Sequence, residues 1–166
     1  MRKAVSLIVG SALAYMMTGS ASAELVRYPV AGKPALIVSV PERWTHKPLG
    51  NGDHLETLVL SSPQHVEVAA IILPHVGALE AFAKQIAQYS HLTMQNSGPA
   101  QLLGRTGYKF DASYTDLKGA VIDMHVVQVT LDPAHLLLME LRSPRASKPS
   151  EIADGKRVFD SLKLEP

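Results

Sequence analysis

The chain has 166 residues, 16 Lys and Arg against 15 Asp and Glu, and no cysteine. Without a thiol there is no disulfide, no thiolate metal centre, no cysteine nucleophile and no lipid-modified cysteine behind a leader. The near-balance of charge leaves no electrostatic footprint for nucleic acid, and the length suits one domain whose core needs no cross-links.

The first 23 residues have the build of a secretory leader. Arg2 and Lys3 supply a positive start, residues 4–17 are uncharged and mostly apolar, and Thr18, Gly19 and Ser20 break the run. Ala21-Ser22-Ala23 then offers the small residues of an A-x-A cleavage site. The apolar run falls short of the roughly 20 residues that a spanning helix needs. A cleaved leader is therefore expected, with the mature chain starting at Glu24, no membrane span after it, and the periplasm as its compartment or full secretion as the alternative. Removing Arg2 and Lys3 leaves 14 basic against 15 acidic residues, a net charge of −1.

Residues 24–34, with two prolines and a glycine, read as an N-terminal arm. Residues 35–40 are apolar and β-branched, so a strand, and Pro41-Glu42-Arg43-Trp44 reads as a turn. Residues 45–53 are polar and carry two glycines, which predicts a loop. A second strand over 55–61 and a third over 65–73 flank Ser61-Ser62-Pro63-Gln64, which predicts a hairpin. The period then changes. Leu79, Phe82, Ala83, Ile86, Tyr89 and Leu92 recur at three- and four-residue steps, so a helix is expected over 77–94, stopped by Asn96-Ser97-Gly98-Pro99.

The second half reads as an antiparallel meander. Residues 100–105 predict a strand, and Tyr108, Phe110, Ala112 and Tyr114 alternate with Lys109, Asp111 and Ser113 on the next one. A turn at 115–119, a long strand over 120–131, an Asp132-Pro133 turn and a return strand over 135–141 follow. Ser150 is placed to cap a last helix starting near Glu151, with Ile152, Phe159 and Leu162 on its apolar face. The order βββαββββα, with short connections, implies an α+β fold: one antiparallel sheet of six to seven strands covered by two helices. The domains are thus a leader (1–23), an arm (24–34) and a single α+β domain (35–166).

A strand closing on Val40-Pro41-Glu42-Arg43-Trp44, then a hairpin, a helix, an antiparallel meander and a terminal helix ending Val158-Phe159-Asp160-Ser161-Leu162-Lys163, resembles the PsbP-like α/β/α sandwich family over about residues 35 to 164. That group includes extrinsic photosystem subunits, a Ran-binding nuclear transport factor and bacterial envelope proteins of the DcrB type. The resemblance implies a binding, assembly or accessory role. The family has no common catalytic residue, so no functional residue is carried over.

Candidate site residues come from two readings. Trp44, the only tryptophan, sits where a loop leaves a strand, and with Arg43 and His46 it forms a candidate binding cluster, since loops on a rigid scaffold carry contacts. The alternative for Trp44 is a plug over one end of the sheet. The seven histidines raise zinc or copper binding. His65 and Glu67 are two apart on one expected strand, as are Asp123 and His125, and His135 follows the next turn. A site would require these to converge. No HExxH, G-x-S-x-G or phosphate-loop motif occurs, and no motif calls for a cofactor. Two functions therefore stand open: a non-catalytic exported accessory protein that binds another envelope protein or a small ligand, or a periplasmic protein that handles a metal or small ligand, with a hydrolase as its less favoured form.

Overall fold

β-branched and aliphatic runs dominate the chain, and the structure, a computed structural model that describes residues 23–28, 35–49, 56–74 and 77–165, pairs them into two antiparallel sheets. The elements are β1 (Ala23–Tyr28), β2 (Leu36–Pro41), β3 (Thr45–Leu49), β4 (Glu56–Ser61), β5 (Glu67–Pro74), α1 (Leu79–Tyr89), β6 (Thr93–Leu102), β7 (Arg105–Thr115), β8 (Val121–Thr130), β9 (His135–Pro144), α2 (Pro149–Asp160) and β10 (Lys163–Leu164). Seven strands form the main sheet in the order β3-β4-β5-β9-β8-β7-β6, and β1-β2-β10 form a small one.

Strand alternation decides what each face of the main sheet meets. On β8, Val127 and Val129 turn to one side, together with Val68 and Ala70 of β5 and Leu137 and Met139 of β9. That side is closed by α2, through Val158 and Phe159, and by the small sheet, through Val26, Tyr28, Leu36, Val38 and Val40. The residues in between, Met124 and Val126, turn to the other side and meet Phe110, Ala112 and Ala83 of α1. The result is an α+β sandwich: α1 on one face, and α2 with the small sheet on the other.

Several expected boundaries move, each for a local reason. The arm is not all loop: residues 23–28 are β1, because Val26 and Tyr28 find buried places against β2, in the register Val26↔Val38 and Tyr28↔Leu36. The expected loop at 45–53 opens with β3, an exposed edge strand paired with β4, so polar composition did not preclude pairing. The helix stops at Tyr89, before Leu92. The chain reverses through His91, which has φ 52°, and enters β6 at Thr93. β6 runs straight through the Asn96-Ser97-Gly98-Pro99 stop signal and absorbs it as a bulge between Met94 and Ser97 on an edge strand, where proline costs no ladder bond.

Ser150 does not cap α2. The helix starts two residues earlier, with Lys148 as its N-cap and Pro149 in the first turn, and the Glu151 carboxylate accepts the Lys148 backbone N–H at 3.0 Å. The Asp132 turn forms as expected, with Asp132 Oδ1 accepting the N–H groups of Ala134 and His135 at 2.7 and 2.8 Å. The leader residues 1–22 lie outside the described residues. No helix among the described residues is long and apolar enough to cross a membrane.

Candidate functional site

The Pro41–Trp44 turn is closed by the Trp44 N–H donating to the Pro41 carbonyl at 2.8 Å. This turn, the Pro63-Gln64 turn between β4 and β5, and the C-terminal half of α2 enclose a cleft of about 740 Å³. Arg43 and Glu42 stand on its rim, Trp44 and Val158 line its apolar part, and Asp154, Arg157 and Ser161 contribute from α2. Arg157 is paired with Asp154, whereas Arg43 makes no ion pair among the described residues. The far wall is Ser39 on β2, whose backbone N–H donates to Ser161 Oγ at 3.0 Å, and Ala23 at the head of β1.

Trp44 is the plug that the sequence allowed as one of two readings, with a small exposed remainder. It is 8% exposed and belongs to the main apolar core, so it is a plug, and its remaining surface lines the cleft. Arg43 is the exposed member of the pair. His46 does not line the cleft. On β3 it faces β1, with its Nε2 3.6 Å from a Glu24 carboxylate oxygen, an interaction that joins the edges of the two sheets.

The five proposed metal ligands do not come together. His65 is not in a strand. It sits in the β4–β5 turn with φ 64°, where the Ser62 N–H donates to the Val66 carbonyl at 2.8 Å and Ser62 Oγ accepts the Val66 N–H at 3.0 Å. The expected shared face with Glu67 is lost at that left-handed residue. Glu67 lies on the α1 side of β5, within 3.9 Å of Arg142, which also pairs with the buried Glu140.

Asp123 and His125 do share a face, the one under α2. Each is committed elsewhere, however. Asp123 takes a two-pronged bond from Arg145 at 2.6 and 3.1 Å, and this hydrogen bond, followed by the charge itself, raises the guanidinium above its ordinary pKa. His125 Nδ1 lies 2.7 Å from Asp111 Oδ1, and its ring leans on Phe159 with centroids 5.8 Å apart. His135 is at the other end of β9, six residues from the position facing His125 and thus roughly 20 Å away along the strand. There it pairs with Asp132 at 2.8 Å. No group of three or more His, Cys, Asp or Glu side chains among the described residues is placed to hold a metal.

Sequence reasoning missed Asp111, the partner that orients His125. These two, with Asn96, Asp123, Ser143 and Arg145, border a shallow pocket of about 360 Å³ between the sheet and the N-terminal half of α2. It is a row of satisfied polar pairs: Asn96 donates to Asp111 at 3.4 Å, and the Asp111–His125 and Asp123–Arg145 contacts are as given above.

No protein-family model matches the sequence, and no curated protein matches it in sequence. The fold does have counterparts. The solution structure of cyanobacterial PsbP (CyanoP) from Synechocystis sp. PCC 6803 superposes with a TM-score of 0.58 at 14% identity, over 89% of this chain and 96% of that one. The fold is PsbP-like. LpqN of Mycobacterium tuberculosis, described as involved in cell envelope biogenesis, superposes with a TM-score of 0.55 at 16% identity, over 87% of this chain and 91% of that one. At these identities the PsbP-like likeness is one of architecture: near-complete coverage of both partners extends it to the whole sandwich, and it transfers no residue role.

Proposed function

We propose that this chain is an exported, non-catalytic accessory protein of the bacterial cell envelope, and that the cleft beside Trp44 is where it holds a segment of another envelope protein or a small ligand. The observation that carries the reading is the cleft itself. It is walled by two turns and a helix end, it offers apolar surface from Trp44 and Val158, and it has a charged rim in which Arg43 stands unpaired among the described residues. Sites with apolar lining and a few convergent polar groups are the usual form of a recognition surface, and loops on a rigid scaffold are their usual place.

Three further points support the reading. The leader-like first 23 residues suit export. The PsbP-like fold is shared with a protein described as taking part in cell envelope biogenesis. The turn that carries Arg43 is closed by the Trp44 N–H on the Pro41 carbonyl at 2.8 Å, so the cleft rim is presented by a fixed scaffold.

The test is site-specific photo-crosslinking in cells, with the crosslinker at Gln64 on the cleft wall or at Lys109 on β7 as a control. The reading predicts a discrete adduct from Gln64 that an Arg43→Glu substitution weakens, and none from Lys109. Equal adducts from both positions, or a Gln64 adduct indifferent to Arg43, would count against the cleft.

A further inference from the structure

The charges around the Trp44 cleft are of two kinds. Asp154 and Arg157 of α2 are bonded to each other, so that pair is closed. Glu42 and Arg43 are open. They are the two central residues of the Pro41–Trp44 turn, both are exposed, both line the cleft, and neither makes an ion pair among the described residues. As chain neighbours they have Cα atoms about 3.8 Å apart. The turn that carries them is pinned by the Trp44 N–H on the Pro41 carbonyl at 2.8 Å. Beside them the cleft offers apolar surface from Pro41, Pro63, Val158 and the exposed remainder of Trp44.

Resting on the proposal that this cleft is a recognition site, we infer that its ligand is a short peptide with free ends, dipolar and carrying an apolar side chain. The carboxylate goes to Arg43, the ammonium to Glu42, and the side chain to Trp44 and Val158. Charge complementarity selects this class. A purely anionic ligand satisfies Arg43 but sets its charge against Glu42, and a purely cationic one does the reverse. An uncharged ligand takes water from both groups and returns no bond to either, which costs free energy at each. A ligand with both signs leaves neither group at a loss. The closeness of Glu42 and Arg43 sets the size. The end charges of a dipeptide or tripeptide lie within roughly 10 Å of each other, since each residue spans at most about 3.3–3.6 Å. A volume of about 740 Å³ suits such a molecule, because small-ligand sites run from roughly 300 to 1,000 Å³.

The probe is leucyl-leucine in four forms: free-ended, N-acetylated, C-amidated and blocked at both ends. Fluorescence of Trp44, the only tryptophan, reads binding to the purified chain at low salt. The free-ended dipeptide is expected to bind tightest, and blocking either end to weaken it about threefold, the scale of an exposed ion pair. Amidation should lose its effect in Arg43→Gln, and acetylation in Glu42→Gln. Should a variant fail to fold, the four forms on the wild-type chain still decide. A doubly blocked peptide that binds as well as the free one would overturn the inference, as would a loss at one end only or end effects that persist in both variants. So would the absence of binding by any form while the Gln64 crosslink survives in cells. Loss of that crosslink as well would refute the cleft reading, and the ligand class with it.

Discussion

Gly155 of α2 lies directly on Val66: a β-carbon built at Gly155 would stand 2.6 Å from Val66 Cγ1 and 2.8 Å from Leu141 Cδ1. The absence of a side chain is what lets α2 settle onto the sheet and close the Trp44 cleft. Alanine would gain roughly 1 kcal/mol of helix propensity, but overpacking of this kind typically costs about 1–3 kcal/mol. The clash should win. Gly155→Ala is expected to lower the thermal midpoint and to shift Trp44 emission, since the Trp44 ring is only 3.8 Å from the added atom. An unchanged midpoint with unchanged emission would mean that the helix has slack here.

The β6–β7 turn gives a cleaner backbone test. Leu103 and Gly104 are its two central residues, with φ 56° and 70°, both in the left-handed region. Leu103 is kept there by packing against the main core. At Gly104 a methyl group would meet nothing within 4 Å, so Gly104→Ala isolates the backbone cost, about 1–2 kcal/mol. Gly98 has equally open space and no positive φ. Gly98→Ala should be neutral or stabilising by up to about 1 kcal/mol. Denaturant midpoints of the two variants should therefore move apart, and a common shift would contradict the turn geometry.

Asp132 links stability to pH. Partial burial opposes its ionisation, but the His135 side chain and the backbone N–H groups of Ala134 and His135 outweigh that, and the carboxyl sits below its ordinary value. A folded-state pKa lower than the unfolded one adds stability that is fully present above the unfolded value, near 3.9, and is lost as pH falls through the lower folded value. Asp132→Ala should cost about 1 kcal/mol or less at pH 7, since the side chain is well exposed to solvent. The gap between wild type and variant should narrow below pH 4. A gap that widens in acid would reverse the sign.

Gln128 is fully buried, its Nε2 donating to the Leu79 carbonyl at 3.1 Å while its Oε1 has no partner. An unsatisfied buried oxygen costs free energy that an apolar side chain of the same shape does not. Gln128→Met is expected to change stability by less than about 1 kcal/mol, and Gln128→Ala to destabilise by more, because it leaves a cavity beneath α1. Chemical denaturation of both variants checks the order.

What the sequence revealed and what it concealed follow from range. Features set by neighbours in the chain were legible. The alternation of Tyr108, Phe110, Ala112 and Tyr114 does turn those side chains to one face, and Asp132 does close its turn; of the expected stripe on α1, Ala83 is buried and Ile86 packs beside it, but Tyr89 is exposed and the second buried residue, Ala87, was not on it. Features set by distant partners were not. β1 is a strand because β2 and the core receive Val26 and Tyr28, and β6 survives a proline because it is an edge. The Asp111–His125 pair was within reach. Counting back along both strands from the hairpin ends, Thr115 and Val121, places Asp111 opposite His125. His65 and Glu67 went wrong for the opposite reason: one left-handed residue in the turn cancels the alternation that would have put them on one face. Trp44 and Arg43 were legible as candidates, but the cleft around them was not, since the Pro41–Trp44 turn is about 20 residues from the Pro63-Gln64 turn and about 110 from the α2 wall at Asp154.

The claim on which the rest depends is that the chain works outside the cytoplasm as a PsbP-like sandwich beginning at β1. Fractionation of cells that express the C-terminally tagged protein, followed by N-terminal sequencing of the product, tests it directly. The account predicts a periplasmic or secreted protein whose first residue is Glu24. Recovery of the folded chain from the cytosol with Met1 still in place would contradict it.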